Sequence, residues 1–308
     1  MSGIDSVLLI AFGGPERPED IRPFLRNVAA GRPIPPERLE EVAHHYERIG
    51  GRSPLNALTR RQAAALAAAL ATRPSAPSVW VGMRNWEPYL HDTLAEMADR
   101  GCRRALGLIL SSLQTEASWS RYVADVAAAR EKVGPGAPEV VLAPPWGDHP
   151  RFLAAMADRA RAALEAIDPA RRSAARLVFT AHSVPVAMAA GSPYAAQLEA
   201  AARAIAGRLG RAEWALAYQS RSGSPREAWL EPDVCDVIRA AAASGVRDLV
   251  VVPVGFVCDH VEVLYDLDVE ARGVAEGAGV GFHRALAAND HPEFIAMLAD
   301  LVRREQAP

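Results

Sequence analysis

Two short stretches carry residue types that can move protons and attract a cation. In Phe179-Thr-Ala-His-Ser-Val-Pro185, an apolar run ends on a histidine. Imidazole titrates near neutral pH, so His182 could serve as a base or as a metal ligand. In the second, Gly255-Phe-Val-Cys-Asp-His-Val-Glu-Val-Leu-Tyr-Asp-Leu-Asp-Val-Glu270, acid follows acid directly after an apolar run at 249–256. Glu262, Asp266 and Glu270 are spaced i, i+4, i+8, so a helix would stack them on one face. Like charges in a column repel unless water surrounds them or a cation visits. A histidine and a carboxylate at two strand ends therefore predict a proton-and-metal site. A local capping box, with Asp259 as N-cap and Glu262 as its return partner, explains the 259–262 spacing without chemistry. It does not explain why the column continues.

The elements that must position these groups alternate along the chain. Apolar runs predict strands over 6–12, 78–83, 104–111, 139–143, 176–181, 213–218, 248–256 and 279–283. Amphipathic stretches predict helices over 18–30, 36–48, 54–72, 88–99, 117–132, 149–166, 194–208, 232–243, 259–273 and 290–304. Continuous apolar strands between helices point to an α/β fold with parallel sheets covered on both faces. Residues 101–110 echo residues 245–254, which suggests two similar α/β domains, 1–147 and 148–308, divided near the Pro-rich stretch at 143–150. The last helix could pack back on the first domain. In such sheets ligands bind beyond the carboxyl ends of the strands, where His182 and Glu262 both fall.

Composition narrows the function. Of 308 residues, 50% are hydrophobic and 23% charged, as in a globular protein. A net charge of −3 gives no sign of a nucleic-acid partner. The three cysteines, Cys102, Cys235 and Cys258, form no disulfide framework and no Cys-x-x-Cys pair. No apolar run reaches the length of a membrane span, and the N-terminus lacks the pattern of a signal peptide. A cytoplasmic protein is expected.

Other segments have structural readings. Gly-x-Gly-x-x-Gly is absent, so Ala11-Phe-Gly-Gly-Pro15 is no dinucleotide fingerprint. Its glycines let backbone approach a flat ligand or turn sharply. Gly50-Gly-Arg-Ser-Pro-Leu55 reads as a helix end followed by Ser53 capping the next helix. Arg221, in Tyr218-Gln-Ser-Arg221, could pair with a ligand carboxylate or brace its loop. His44 and His45 are adjacent and point apart. His91, His149, His260, His283 and His291 are scattered and read as structural or solvated.

Taken together, these segments resemble the ferrochelatase family, which inserts Fe²⁺ into a porphyrin. The matching pieces are Phe-Gly-Gly-Pro at 12–15, His-Tyr-x-x-Ile-Gly-Gly-x-Ser-Pro-Leu at 45–55 and Gly-Met-Arg-Asn-Trp-x-Pro at 82–88. They continue with His-Ser-Val-Pro at 182–185, Tyr-Gln-Ser-Arg-x-Gly at 218–223, Trp-Leu-x-Pro at 229–232 and Gly-Phe-Val-x-Asp-His-x-Glu at 255–262. The resemblance spans nearly the whole chain. It implies two similar Rossmann-like, chelatase-type domains with a porphyrin cleft between them. It places the active-site histidine on His182 and the glutamate on Glu262, both also metal ligands, with an acidic line for metal delivery on Asp266 and Glu270. It implies porphyrin contacts at Phe12, Ser53, Arg84, Tyr122, Ser183 and Arg221, with Arg26, Arg32 and Arg52 as further cations for propionates. His182 and Glu262 are then expected to face each other across a gap wide enough for a tetrapyrrole.

The resemblance further implies Fe²⁺ as the substrate metal. No integral membrane segment is expected, and the oligomeric state stays open, with a monomer favoured. The first-motif and Arg-Asn-Trp segments resemble soluble bacterial versions, which favours coproporphyrin III over protoporphyrin IX. Phe12 stands where some relatives carry Tyr or Met. A phenyl ring cannot ligate iron, so only wall packing remains there. Many relatives hold a [2Fe-2S] cluster on four cysteines, partly in a C-terminal tail. With three cysteines and none in the tail, no cluster is expected here. The rival readings are a chelatase for another tetrapyrrole or metal, such as cobalt, and a non-catalytic porphyrin or metal carrier.

Overall fold

The structure is a computed structural model that describes residues 3–31, 34–71, 76–223 and 226–306. Among these, eight strands form two four-stranded parallel sheets. The first contains β1 (Ser6–Ala11), β2 (Ser78–Met83), β3 (Arg104–Ile109) and β4 (Glu139–Leu142), in the order β2-β1-β3-β4. The second contains β5 (Arg176–His182), β6 (Trp214–Gln219), β7 (Asp248–Val252) and β8 (Gly281–Arg284), in the order β6-β5-β7-β8. The two orders are the same. Each central strand is buried, which is why β1 and β7 read as unbroken apolar runs.

The chain divides into two compact units. One comprises Met1–Ser111, Ala117–Pro145 and Asp290–Pro308, and the other Ser112–Glu116 and Trp146–Asn289. The last helix, Pro292–Glu305, belongs to the first unit, where it packs against the helix Leu55–Leu70. No described helix is long and apolar enough to cross a membrane.

The internal echo has a local cause. Gly101 and Gly245 end the helices Leu90–Asp99 and Val234–Ala243 with φ of 83° and 80°. After each glycine, the next amide donates back into the helix, Cys102 N to Met97 O at 2.9 Å and Val246 N to Ala241 O at 3.0 Å. This is a Schellman closure, and it feeds the chain into β3 in one sheet and β7 in the other.

Two expected elements are corrected. The strand drawn over 248–256 stops at Val252. Pro253 has no N–H to continue the ladder, and Val254 N turns back to Val252 O at 2.9 Å. The helix drawn over 259–273 is three pieces: Val261–Leu264, a π-helical stretch Asp266–Ala271, and Arg272–Gly277. The wide turn is visible in the bond from Glu270 N to Tyr265 O at 3.0 Å. The carboxylates therefore do not form a straight α-helical column. A π turn, Glu116–Ser120, likewise precedes the helix Arg121–Val133, and the short helices Pro169–Arg172 and Val186–Ala190 leave no periodic signal.

At Gly245 a methyl group would meet no atom within 4 Å, so only the backbone angle resists substitution. Gly245→Ala is expected to lower unfolding free energy by roughly 1–2 kcal/mol, read from the shift of a guanidinium unfolding midpoint.

Candidate active site

The second unit assembles the site from its own sheet. β5 and β6 are in parallel register, with His182 opposite Gln219 at their carboxyl ends. Ser183 N donates to Gln219 O at 2.7 Å, and the buried Tyr194 hydroxyl donates to His182 O at 2.8 Å. The backbone that presents His182 is thus held from both sides. The imidazole Nδ1 contacts the Ser183 carbonyl. A carbonyl can only accept, so the neutral ring carries its proton on Nδ1 and offers a lone pair at Nε2.

Glu262 reaches the same place through the loop after β7. Gly255 N donates to Thr180 O at 3.0 Å, which lays that loop across the end of β5. A methyl group at Gly255 would stand 2.5 Å from Ala181 Cβ and 2.8 Å from its Cα, so only glycine allows the approach. Buried Asp259 then fixes the loop. It accepts from Arg284 Nη1 at 2.9 Å, from Asn289 Nδ2 at 2.8 Å and from Ala287 N at 3.2 Å. Arg284 also donates to Asp268 at 2.8 Å. Burial opposes the charge on Arg284, but its hydrogen bond to Asp268 and the field of Asp259 hold its pKa above the usual value.

His182 Nε2 and Glu262 Oε1 stand 3.6 Å apart. That is too long for a hydrogen bond and short enough for both groups to act on one proton or one cation. The side chains are 28% and 38% exposed, so the pair is open to a ligand. The expectation of two groups facing each other across a tetrapyrrole-wide gap is overturned. His182 ends β5 and Glu262 follows the loop after β7 of the same sheet, and the two are neighbours. The expected capping box is also replaced. His260, not Asp259, is the N-cap, and its Nδ1 accepts from Glu262 N at 3.2 Å. Burial pushes the His260 pKa down, and His182 pushes it the same way against the fields of Glu262 and Asp259. A neutral imidazole therefore orients the Glu262 backbone. Burial, then the charges of Tyr218 and Glu262, raise the Tyr194 pKa and keep its phenol protonated.

The other expected residues take varied places. Asp266 is buried and accepts from the Ser220 hydroxyl, whereas Glu270 is exposed. Among the described residues no group of three or more His, Cys, Asp or Glu side chains is arranged to hold a metal ion. Ser183 is buried, and its hydroxyl donates to Leu230 O at 2.8 Å. Arg221 is exposed and donates to Glu227 O at 3.2 Å.

In the first unit Phe12 is 37% exposed and packs edge-on against Phe24 at 6.2 Å. Ser53 is buried, and its Oγ accepts from Leu55 N at 3.3 Å, closing the turn before the next helix. The Arg84 guanidinium pairs with Asp125 and lies 4.2 Å from the centroid of the buried Tyr122 ring. The Arg84 charge thus already has a partner, and Ser53 and Tyr122 present little surface. Arg26 and Arg52 are exposed, and Arg32 lies outside the described residues. Gln219, Ser220, Gly255, His260 and Arg284 also build the site. The first four stand inside the motifs at 218–223 and 255–262, and Arg284 carries no signal in the sequence.

The ferrochelatase family model matches residues 5–306. The chain belongs to the ferrochelatase family. It is similar to the coproporphyrin III ferrochelatase of Mycobacterium avium (strain 104), with 48% identity over 97% of this chain and 87% of that protein. The corresponding protein of Mycolicibacterium smegmatis is 44% identical over 97% of this chain and 88% of its own length. The fold matches that of DR2241 from Deinococcus radiodurans, a multi-domain protein described as similar to chelatases, with a TM-score of 0.62 at 18% identity. That match covers 100% of this chain, which spans 56% of the Deinococcus protein. Family membership does not favour the cobalt-chelatase and carrier readings.

His260 makes stability depend on pH. Its folded pKa lies below the unfolded value of 6.5, so the unfolded chain binds a proton that the folded chain refuses. This contribution is intact above pH 6.5 and falls away as pH drops toward the folded pKa. His260→Asn keeps an N-cap acceptor and removes the titration. Urea unfolding at pH 7.5 and 5.5 is expected to show a smaller loss of stability on acidification in the variant than in the parent.

Proposed function

We propose that this chain inserts Fe²⁺ into a porphyrin during haem biosynthesis, acting as a metal-inserting lyase with coproporphyrin III as its ring. The reading rests on the His182–Glu262 pair, 3.6 Å apart and open at the strand ends, in a chain whose relatives at 44–48% identity are coproporphyrin III ferrochelatases.

Metal insertion exchanges two pyrrole N–H protons for one divalent cation. A flat macrocycle holds its nitrogen lone pairs inward, and bending it exposes them at the expense of binding energy. His182 Nε2 takes a pyrrole proton, because Nδ1 is tied to the Ser183 carbonyl and leaves the lone pair on Nε2. Glu262 balances the imidazolium and accepts or passes on the second proton. It also meets the incoming Fe²⁺, since a carboxylate suits a hydrated cation. Exposed Glu270 supplies negative charge further out. The pair works from one side of the ring, so proton removal and metal handling are coupled at one place.

A tetra-acid ring needs cations. Exposed Arg26, Arg52 and Arg221 are the proposed partners for its carboxylates, whereas Arg84 is already paired with Asp125. The cysteines support a reading without a [2Fe-2S] cluster. None of the three is in a disulfide, Cys102 and Cys258 are buried, and burial, then Asp233 and Glu270, push the Cys235 thiol up to about 12.

His182→Ala is expected to fold, bind porphyrin and lose roughly 10²–10⁴-fold in the rate of zinc or iron insertion followed by absorbance. Near-normal turnover would remove His182 from the mechanism. In a competition assay, coproporphyrin III is expected to be metallated ahead of protoporphyrin IX, and the reverse order would refute the ring assignment.

A further inference from the structure

Ser220 has φ of 64°, a left-handed conformation that a residue with a Cβ adopts only when its surroundings hold it there. The surroundings are on either side of it. Gln219, 1% exposed, sends its side-chain amide to the Glu262 carbonyl. Ser220 sends its hydroxyl to the Asp266 carboxylate. Two consecutive side chains at the end of β6 thus grip two residues four apart on the acidic segment. Asp266 is 8% exposed, whereas the Glu262 side chain is 38% exposed and Glu270 is exposed. A carboxylate that strips water from an arriving cation needs access, and Asp266 has the least of the three.

We infer that Asp266 is a positioning residue. Its carboxylate, held by the Ser220 hydroxyl, latches the acidic segment to the end of β6 and so fixes Glu262 against His182. It does not ligate the incoming metal. The strained turn at Ser220 is the cost of aiming that hydroxyl, and Gln219 sets the spacing by holding the Glu262 carbonyl. This rests on the reading of His182 and Glu262 as the reacting pair.

The test measures kcat and the KM for zinc in the full-length protein, with coproporphyrin III in excess. Asp266→Ala and Ser220→Ala are each expected to lower kcat about tenfold, the worth of one hydrogen bond to a charged group, while the KM for zinc stays put. The double variant is expected to be no slower than Asp266→Ala, because the Ser220 hydroxyl acts through that carboxylate. Asp266→Asn keeps an acceptor for the hydroxyl and removes the charge, so it is expected to restore most of what Asp266→Ala loses. If Asp266→Asn instead raises the KM for zinc as much as Asp266→Ala does, the charge was needed and the latch assignment falls. Thermal melts exclude loss of fold. Should either alanine variant not fold, the KM for zinc in Asp266→Asn against the parent still decides. A His182→Ala variant that turns over normally would sink the reading of the pair itself, and the Asp266→Asn result is separate from it.

Discussion

Backbone proximity at Gly255 is the constraint on which the site depends. With no Cβ to hold it off, the chain after β7 lies against Ala181, one residue before His182. From there the loop has only a few residues in which to present Glu262, and it does so 3.6 Å from the imidazole. A larger residue at 255 would push against backbone, which cannot swing aside as a side-chain tip can. The reacting geometry is therefore set by a steric fact three residues past the end of β7 and seven before Glu262.

Buried polar contacts make the position unique. Asp259, Arg284, Asp268 and Asn289 form a charged knot beneath the loop, and its pieces satisfy one another. Such knots contribute little net stability, because desolvating the charges offsets much of their attraction. Breaking one partner is expensive, however, so alternatives to the observed loop path are disfavoured. Gln219 and Ser220 do the same from β6. Tyr194 and Gln219 fix the backbone at His182. The result is a pair of reactive side chains whose supports are almost all buried while the pair itself stays open.

Much of this was legible in the residues. Strand runs and the helix–glycine–strand echo at 101 and 245 gave two similar sheets, because parallel buried strands leave unbroken apolar runs and left-handed helix ends require glycine. His182 and Glu262 stood out by type and by their place after strands. The rest was hidden for physical reasons. Helical period cannot distinguish an α-turn from a π-turn, so the carboxylate column looked straight. Asp259 looked like the N-cap, but distant Arg284, Ala287 and Asn289 occupy its carboxylate, and His260 caps instead. Arg84 looked like a free cation because its partner Asp125 is far along the chain. The supposed gap between imidazole and carboxylate closed because both groups rise from one sheet, which residue spacing alone does not reveal.

The central claim is that His182 and Glu262 act as one unit. A double-mutant cycle in single-turnover metal insertion, comparing His182→Ala, Glu262→Gln and the combined variant, tests it most directly. If the pair shares the work of removing protons and receiving the metal, the double variant should be no slower than the slower single one. Losses that multiply would mean that the two side chains act independently, and the account of a coupled pair would be wrong.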